Sequence, residues 1–138
     1  MATVRRYVRI SRTADDVWAL VGDPTATPGW FPVMVEATVD GTERVVVTAA
    51  GLRIPEEIVT VDSIQRCFQY RVTAGFVRDH LATIDVFDVG DGTSLVSYST
   101  RCEPDALALM IGGAAGNALK ELKRQMESGV VARERGVA

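Results

Sequence analysis

Apolar residues alternate with polar ones, switch briefly to a helical rhythm, return to alternation for most of the chain and end in a second helical rhythm. In Thr3–Ile10, Val4, Val8 and Ile10 share one side, the two-residue period of a strand. Thr13-Ala14-Asp15-Asp16 then predicts a helix start. Thr13 offers a side-chain oxygen to a free backbone N–H, and the two aspartates sit in the positive first turn. Val17, Leu20 and Val21 follow at helical spacing with Trp18 beside them. Gly22, Pro24, Pro28 and Gly29 end this helix and leave room for one more short turn before Trp30.

From Val33 the period returns to two. Val33, Val35, Ala37 and Val39 alternate up to Asp40-Gly41, which predicts a hairpin with φ > 0 at both centre residues. Val45–Ala49 forms the return strand, and Gly51 precedes another at Ile54–Val61. Phe68, Tyr70 and Val72 alternate with Cys67, Gln69 and Arg71, and Gly75 marks a turn. Leu81–Val89 and Thr93–Glu103 pair across Gly90-Asp91-Gly92. Six successive strands with short links predict an antiparallel meander.

Pro104 opens the last element, a helix to about Ser128. Leu107, Ile111, Ala115, Ala118, Leu122 and Met126 share one face, and Lys120, Lys123, Arg124 and Glu127 share the other. The apolar stripe needs a surface to bury against, and the sheet is the large one available. Gly112, Gly113 and Gly116 fall on the polar side, where they predict a kink opening a cavity entrance or else a flat patch for a second chain. Residues 130–138 have no periodicity and are expected to fray. The pattern predicts one domain over 1–138 with an ordered core of about 3–128, built as α+β: about seven antiparallel strands, two short helices after the first strand, and a long C-terminal helix.

Composition narrows the function. The 47% hydrophobic content excludes a disordered chain, and a net charge of −3 gives no pull toward nucleic acid or an anionic membrane. The longest apolar stretch, Ala106–Gly116, is shorter than the roughly 20 residues of a membrane span. Arg5, Arg6 and Arg9 are not followed by the apolar segment of an export signal. A cytoplasmic protein with Cys67 and Cys102 reduced is expected, monomeric or homodimeric, without stable membrane insertion or a nucleic-acid partner. One histidine and two distant cysteines do not make a metal site. Phosphate-loop and Gly-x-Gly-x-x-Gly patterns are missing, and so is Gly-x-Ser-x-Gly. No cofactor is expected.

Three segments carry a family likeness. The first is Ser11-Arg12-Thr13-Ala14-Asp15-Asp16-Val17-Trp18-Ala19-Leu20-Val21-Gly22-Asp23 with Trp30-Phe31-Pro32. The second is Asp62-Ser63-Ile64-Gln65-Arg66-Cys67-Phe68-Gln69-Tyr70. The third is Gly90-Asp91-Gly92-Thr93-Ser94-Leu95-Val96-Ser97-Tyr98, followed by Pro104 and the long helix. In this order they resemble the START-like (SRPBCC) superfamily, most closely its polyketide cyclase/dehydrase and lipid-transport branch. The resemblance implies a helix-grip fold, in which a curved sheet wraps the last helix around a cavity. Members of that superfamily carry lipids, sterols, hormones or polyketide intermediates, and some are cyclases or dehydratases.

Strand parity then nominates the lining of such a cavity. His80, Ala82, Ile84 and Val86 share a face, as do Val96, Tyr98 and Thr100 on the partner strand, and Phe68, Tyr70 and Val72 add a wall. The helix would contribute Ile111, Ala115 and Met110, and Trp30 and Phe31 would stand at a mouth. Trp18 is expected to anchor its helix. Glu56 and Glu57 point to opposite faces, so at most one faces inward, and Arg53 is expected on the surface. The cavity could instead be filled by Phe68, Tyr70, Phe76 and Phe87. The expected function is binding of a hydrophobic small molecule: a lipid, polyketide or aromatic compound. A second reading is a cyclase or dehydratase with His80 as base and Tyr98 as donor to an oxyanion. A third is a domain that binds a protein partner.

Overall fold

The computed structural model describes residues 1–129, so the expected fraying of 130–138 lies outside the described residues. Seven strands form one antiparallel sheet: β1 (Ala2–Ile10), β2 (Met34–Asp40), β3 (Glu43–Thr48), β4 (Arg53–Asp62), β5 (Cys67–Val72), β6 (Asp79–Asp88) and β7 (Ser94–Glu103). Their spatial order is β1-β7-β6-β5-β4-β3-β2. The expected meander runs from β2 to β7, and β1 closes the far side by pairing with β7.

Between β1 and β2 stand the helix α1 (Ala14–Val21) and a single 3-10 turn at Thr27–Gly29. Thr13 caps α1 as expected, its hydroxyl accepting the Asp16 N–H at 3.1 Å. The helix packs on β6 and β7, and the turn packs on β2. Half-buried Trp18 packs against the core, in the anchoring position expected of it.

The long helix α2 (Asp105–Ser128) crosses β1 and β7. Pro104 is its N-cap, and Gly129 ends it in the left-handed conformation at φ 78°. The buried positions are Ala108, Gly112, Ala115, Ala118, Leu119, Leu122, Gln125 and Met126. Ala115, Ala118, Leu122 and Met126 are buried as the expected stripe requires, but in the first two turns Ala108 and Gly112 take the buried places and Leu107 and Ile111 are only half-buried. Gly112 therefore lies on the sheet side, not the polar side. A Cβ built there would stand 2.4 Å from Val4 Cγ1, so the glycine permits the close approach of helix and strand. No non-helical break interrupts α2, which is helical from Asp105 through Ser128.

Two hairpin details also differ from expectation. Asp40 pairs with Glu43, so the centre residues are Gly41 and Thr42. Only Gly41, at φ 62°, has positive φ, as a type II′ turn requires of its first centre position. Between Met34 and Glu36 the β2 register shifts. The bulge turns Val35 out to solvent, and Val33 is exposed as well, so the run Val33, Val35, Ala37, Val39 does not share one buried face.

Candidate ligand site

The inner face of the sheet follows from cross-strand register. Tyr98 stands opposite Ile84, Ile84 opposite Phe68, Ala82 opposite Tyr70, and Thr100 opposite Ala82. Directly opposed residues share a face, so His80, Ile84, Val96, Tyr98, Thr100, Phe68 and Tyr70 converge as expected, and all are buried. Ala115 on α2 joins the same core. Ile111 packs into a smaller neighbouring cluster with Val4, Cys102 and Ala108. Met110 is a correction. It is 71% exposed, because α2 turns that position away from the sheet.

Trp30 and Phe31 also depart from their expected place. They are fully or almost fully buried rather than set at a mouth. The Trp30 ring lies 6.0 Å from Phe31 and 6.4 Å from Tyr98, and Phe31 lies 6.1 Å from Tyr98. Phe68 and Tyr70 are 5.5 Å apart, and the hydroxyls of Tyr70 and Tyr98 are in hydrogen-bonding contact. These five rings form a continuous packed layer. Phe76 and Phe87, considered as fillers, are exposed instead.

An ion pair that strand parity left unassigned packs against this layer. Arg44 on β3 and Glu56 on β4 are register partners on the inner face, and both are buried. Arg44 Nε donates to Glu56 Oε1 at 2.7 Å, and its NH1 donates to the Pro24 carbonyl and the Thr27 hydroxyl at 2.9 and 3.0 Å. The guanidinium lies over the rings of Tyr70 and Phe68, 4.8 and 5.2 Å from their centres. One side chain thus ties the Pro24–Thr27 segment to the sheet. Of the two adjacent glutamates it is Glu56 that faces inward, while Glu57 and Arg53 stay exposed as opposite parity and the surface expectation require.

His80 begins β6 and is 1% exposed. The β5–β6 ladder stops at Tyr70–Ala82. Where the next pair would form, the Val72 N–H donates to His80 Nδ1 at 2.9 Å. Burial, with Arg71 adding repulsion, lowers the imidazole pKa to about 4, so the ring is neutral at neutral pH. Burial likewise raises the pKa of both Tyr70 and Tyr98, and it raises that of Glu56 against the opposing pull of Arg44.

Several buried polar atoms in this interior have no hydrogen-bond partner: Trp30 Nε1, Ser94 Oγ, Thr100 Oγ1, Gln125 Oε1 and Arg44 NH2. The Arg44 NH2 is still 2.7 Å from Glu56 Oε1, in charge contact but off the hydrogen-bonding direction. Gln125 reaches across from α2, its Nε2 donating to the Gly29 carbonyl at 2.8 Å. Buried polar groups are nearly always paired, so this concentration marks the interior as chemically unusual.

On the opposite face of the sheet, Arg5, Tyr7, Asp85, Phe87, Leu95, Ser97 and Ser99 line an open trough of about 410 Å³. Both cysteines are free. Among the described residues no group of three His, Cys, Asp or Glu is placed to hold a metal ion, and no helix is long and apolar enough to cross a membrane.

A family model described as "Polyketide cyclase / dehydrase and lipid transport" matches residues 1–127. No curated protein was found to match the chain. Among solved structures, the protein XoxI from Bacillus cereus is 24% identical with a TM-score of 0.86, over 91% of this chain and 96% of that one. A START superfamily protein from Mycobacterium smegmatis is 13% identical with a TM-score of 0.70, over 93% and 96% of the two chains. The di-domain ARO/CYC BexL from the BE-7585A biosynthetic pathway is 18% identical with a TM-score of 0.74. There the match takes in 90% of this chain and 46% of BexL. These likenesses fix the fold, a helix-grip architecture of the START-like kind.

Proposed function

Because the chain belongs to the polyketide cyclase/dehydrase and lipid-transport family, we propose that it binds a hydrophobic small molecule between the inner face of the sheet and α2. The observation that carries this reading is the interior itself. An aromatic layer of Trp30, Phe31, Phe68, Tyr70 and Tyr98 adjoins buried polar atoms that no protein group satisfies. Apolar walls with a few orienting polar groups are the usual make-up of a small-molecule site. An unpaired buried donor or acceptor costs about 1–3 kcal/mol, and a guest that supplies the partner removes that cost. Entry requires Trp30 and Phe31 to part from the sheet, a movement restrained by the bonds of Arg44 to Pro24 and Thr27.

Native mass spectrometry of the chain purified from its own host tests the reading. A co-purified small molecule, lost from a variant in which the buried Ala115 of α2 is enlarged to leucine, is the expected result. A bare polypeptide mass from the host and after soaking with apolar ring compounds would count against it.

Cyclase or dehydratase chemistry is the second reading, and the Tyr70–Tyr98 hydroxyl contact favours it. In a hydroxyl pair one group donates and the other keeps a free proton for a guest oxygen. His80 suits the base role less well. Its Nδ1 is occupied by the Val72 N–H, and a conjugate acid of pKa about 4 makes a weak base at neutral pH. Tyr98 as proton donor is the part of the catalytic reading that we retain.

A further inference from the structure

Among the described residues the interior holds one cation and one anion, and they are spent on each other. Arg44 directs Nε and NH2 at a single oxygen of Glu56, and NH1 at Pro24 and Thr27. The guanidinium is protonated at all working pH values, but the neighbouring carboxylate leaves no net positive charge for a guest. The unpartnered groups that remain among the described residues are uncharged: an indole N–H on Trp30, hydroxyls on Ser94 and Thr100 and an amide oxygen on Gln125. Each of the four residues is at least 98% buried. They stand on three separate elements, the segment after the 3-10 turn, β7 and α2.

From this we infer that the site selects an uncharged ring compound carrying a hydroxyl or carbonyl oxygen, and that Glu56 is the residue that excludes carboxylates by neutralising Arg44. This rests on the reading of the interior as a ligand site and adds the ligand's charge class to it. A carboxylate entering the site would lose its hydration and meet an Arg44 already paired, with Glu56 repelling it. A bare hydrocarbon would bury its surface but leave the indole and hydroxyl donors unpaired. A neutral oxygen escapes both penalties.

Three probes of one shape separate these cases: naphthalene, naphthol and naphthoate, titrated calorimetrically at neutral pH. The wild-type chain is expected to bind naphthol about tenfold more tightly than naphthalene, the equivalent of one satisfied hydrogen bond, and to bind naphthoate most weakly. Glu56→Gln keeps the shape but frees the Arg44 charge, and should reverse the order so that naphthoate binds best. Thr100→Val, also shape-conserving, should shrink the advantage of naphthol over naphthalene, and it serves if Glu56→Gln does not fold. Naphthoate binding best to the wild type, or all three binding equally, would overturn the inference and leave the ligand site standing. If none of the three bound, the ligand-site reading itself would fall.

Discussion

The two ends of the sheet's inner face are closed in opposite ways. At the β1–β7 end, α2 lies directly on the strands, and Gly112 lets it approach Val4 so closely that no methyl group fits between them. That seal is apolar, with Val4, Cys102 and Ala108 at its centre. At the β3–β5 end the cover is a Pro-rich segment held by Arg44, and aromatic rings and buried charges replace close-packed aliphatics. A seal made by shape tolerates no added volume. A seal made by charge tolerates shape changes but not the loss of a partner. The first kind makes a scaffold, and the second suits a place that must admit something.

The largest break in that contrast comes from Glu56→Ala. It leaves Arg44 buried without its carboxylate and should destabilise the chain by about 3–5 kcal/mol in urea unfolding. Replacing both partners with apolar residues, Arg44→Met with Glu56→Leu, should recover most of the loss. A cost below about 1 kcal/mol for Glu56→Ala, the range of an exposed pair, would show that the pair is not the clasp.

Next in size is the pH response of His80. Its folded-state pKa of about 4 lies below the ordinary 6.5. Between those values the unfolded chain takes up a proton that the native ring refuses, so stability falls as pH drops through that window. The full difference amounts to roughly 3 kcal/mol. His80→Asn keeps an acceptor for the Val72 N–H and cannot titrate. Unfolding free energies measured from pH 7 to pH 4 should fall more steeply for the wild type than for the variant. The opposing titration of Glu56, whose raised pKa favours the fold as pH drops, is common to both proteins. Parallel curves would mean the ring is not the titrating group.

The apolar end is tested by two neighbouring glycines. Gly112→Ala puts a methyl group into Val4 and should cost about 1–3 kcal/mol from overpacking. Gly113→Ala meets nothing within 4 Å and should gain up to about 1 kcal/mol from helix propensity. Thermal unfolding midpoints moving in opposite directions would sharpen the comparison, whereas equal shifts would dissolve it.

Which parts were legible follows from the period of each element. Two-residue alternation placed His80, Ile84, Val96, Tyr98, Thr100, Phe68 and Tyr70 on one face, because β5, β6 and β7 pair without a bulge along the segment that carries them. In β2 a single extra residue reversed the parity of Val35, and turn chemistry gave no warning of it. On α2 the stripe holds from Ala115 to Met126 and departs only in the first two turns, where the small residues Ala108 and Gly112 give weak contrast against Leu107 and Ile111. The same weak contrast hides the outward turn of Met110. Arg44 was hidden by the run Val45-Val46-Val47, in which either face can be the apolar one. Only the pairing of Arg44 with Glu56 across the β3–β4 ladder, two opposite charges in register, could have signalled it.

The most direct test of a guest between sheet and helix is the indole N–H resonance of Trp30, followed during titration with a panel of uncharged ring compounds. We predict that at least one compound shifts this resonance to saturation while that of Trp18, which lies outside the aromatic layer, stays in place. A Trp30 signal unmoved by every compound, with shifts confined to Tyr7 and Phe87 on the outer face, would contradict the account.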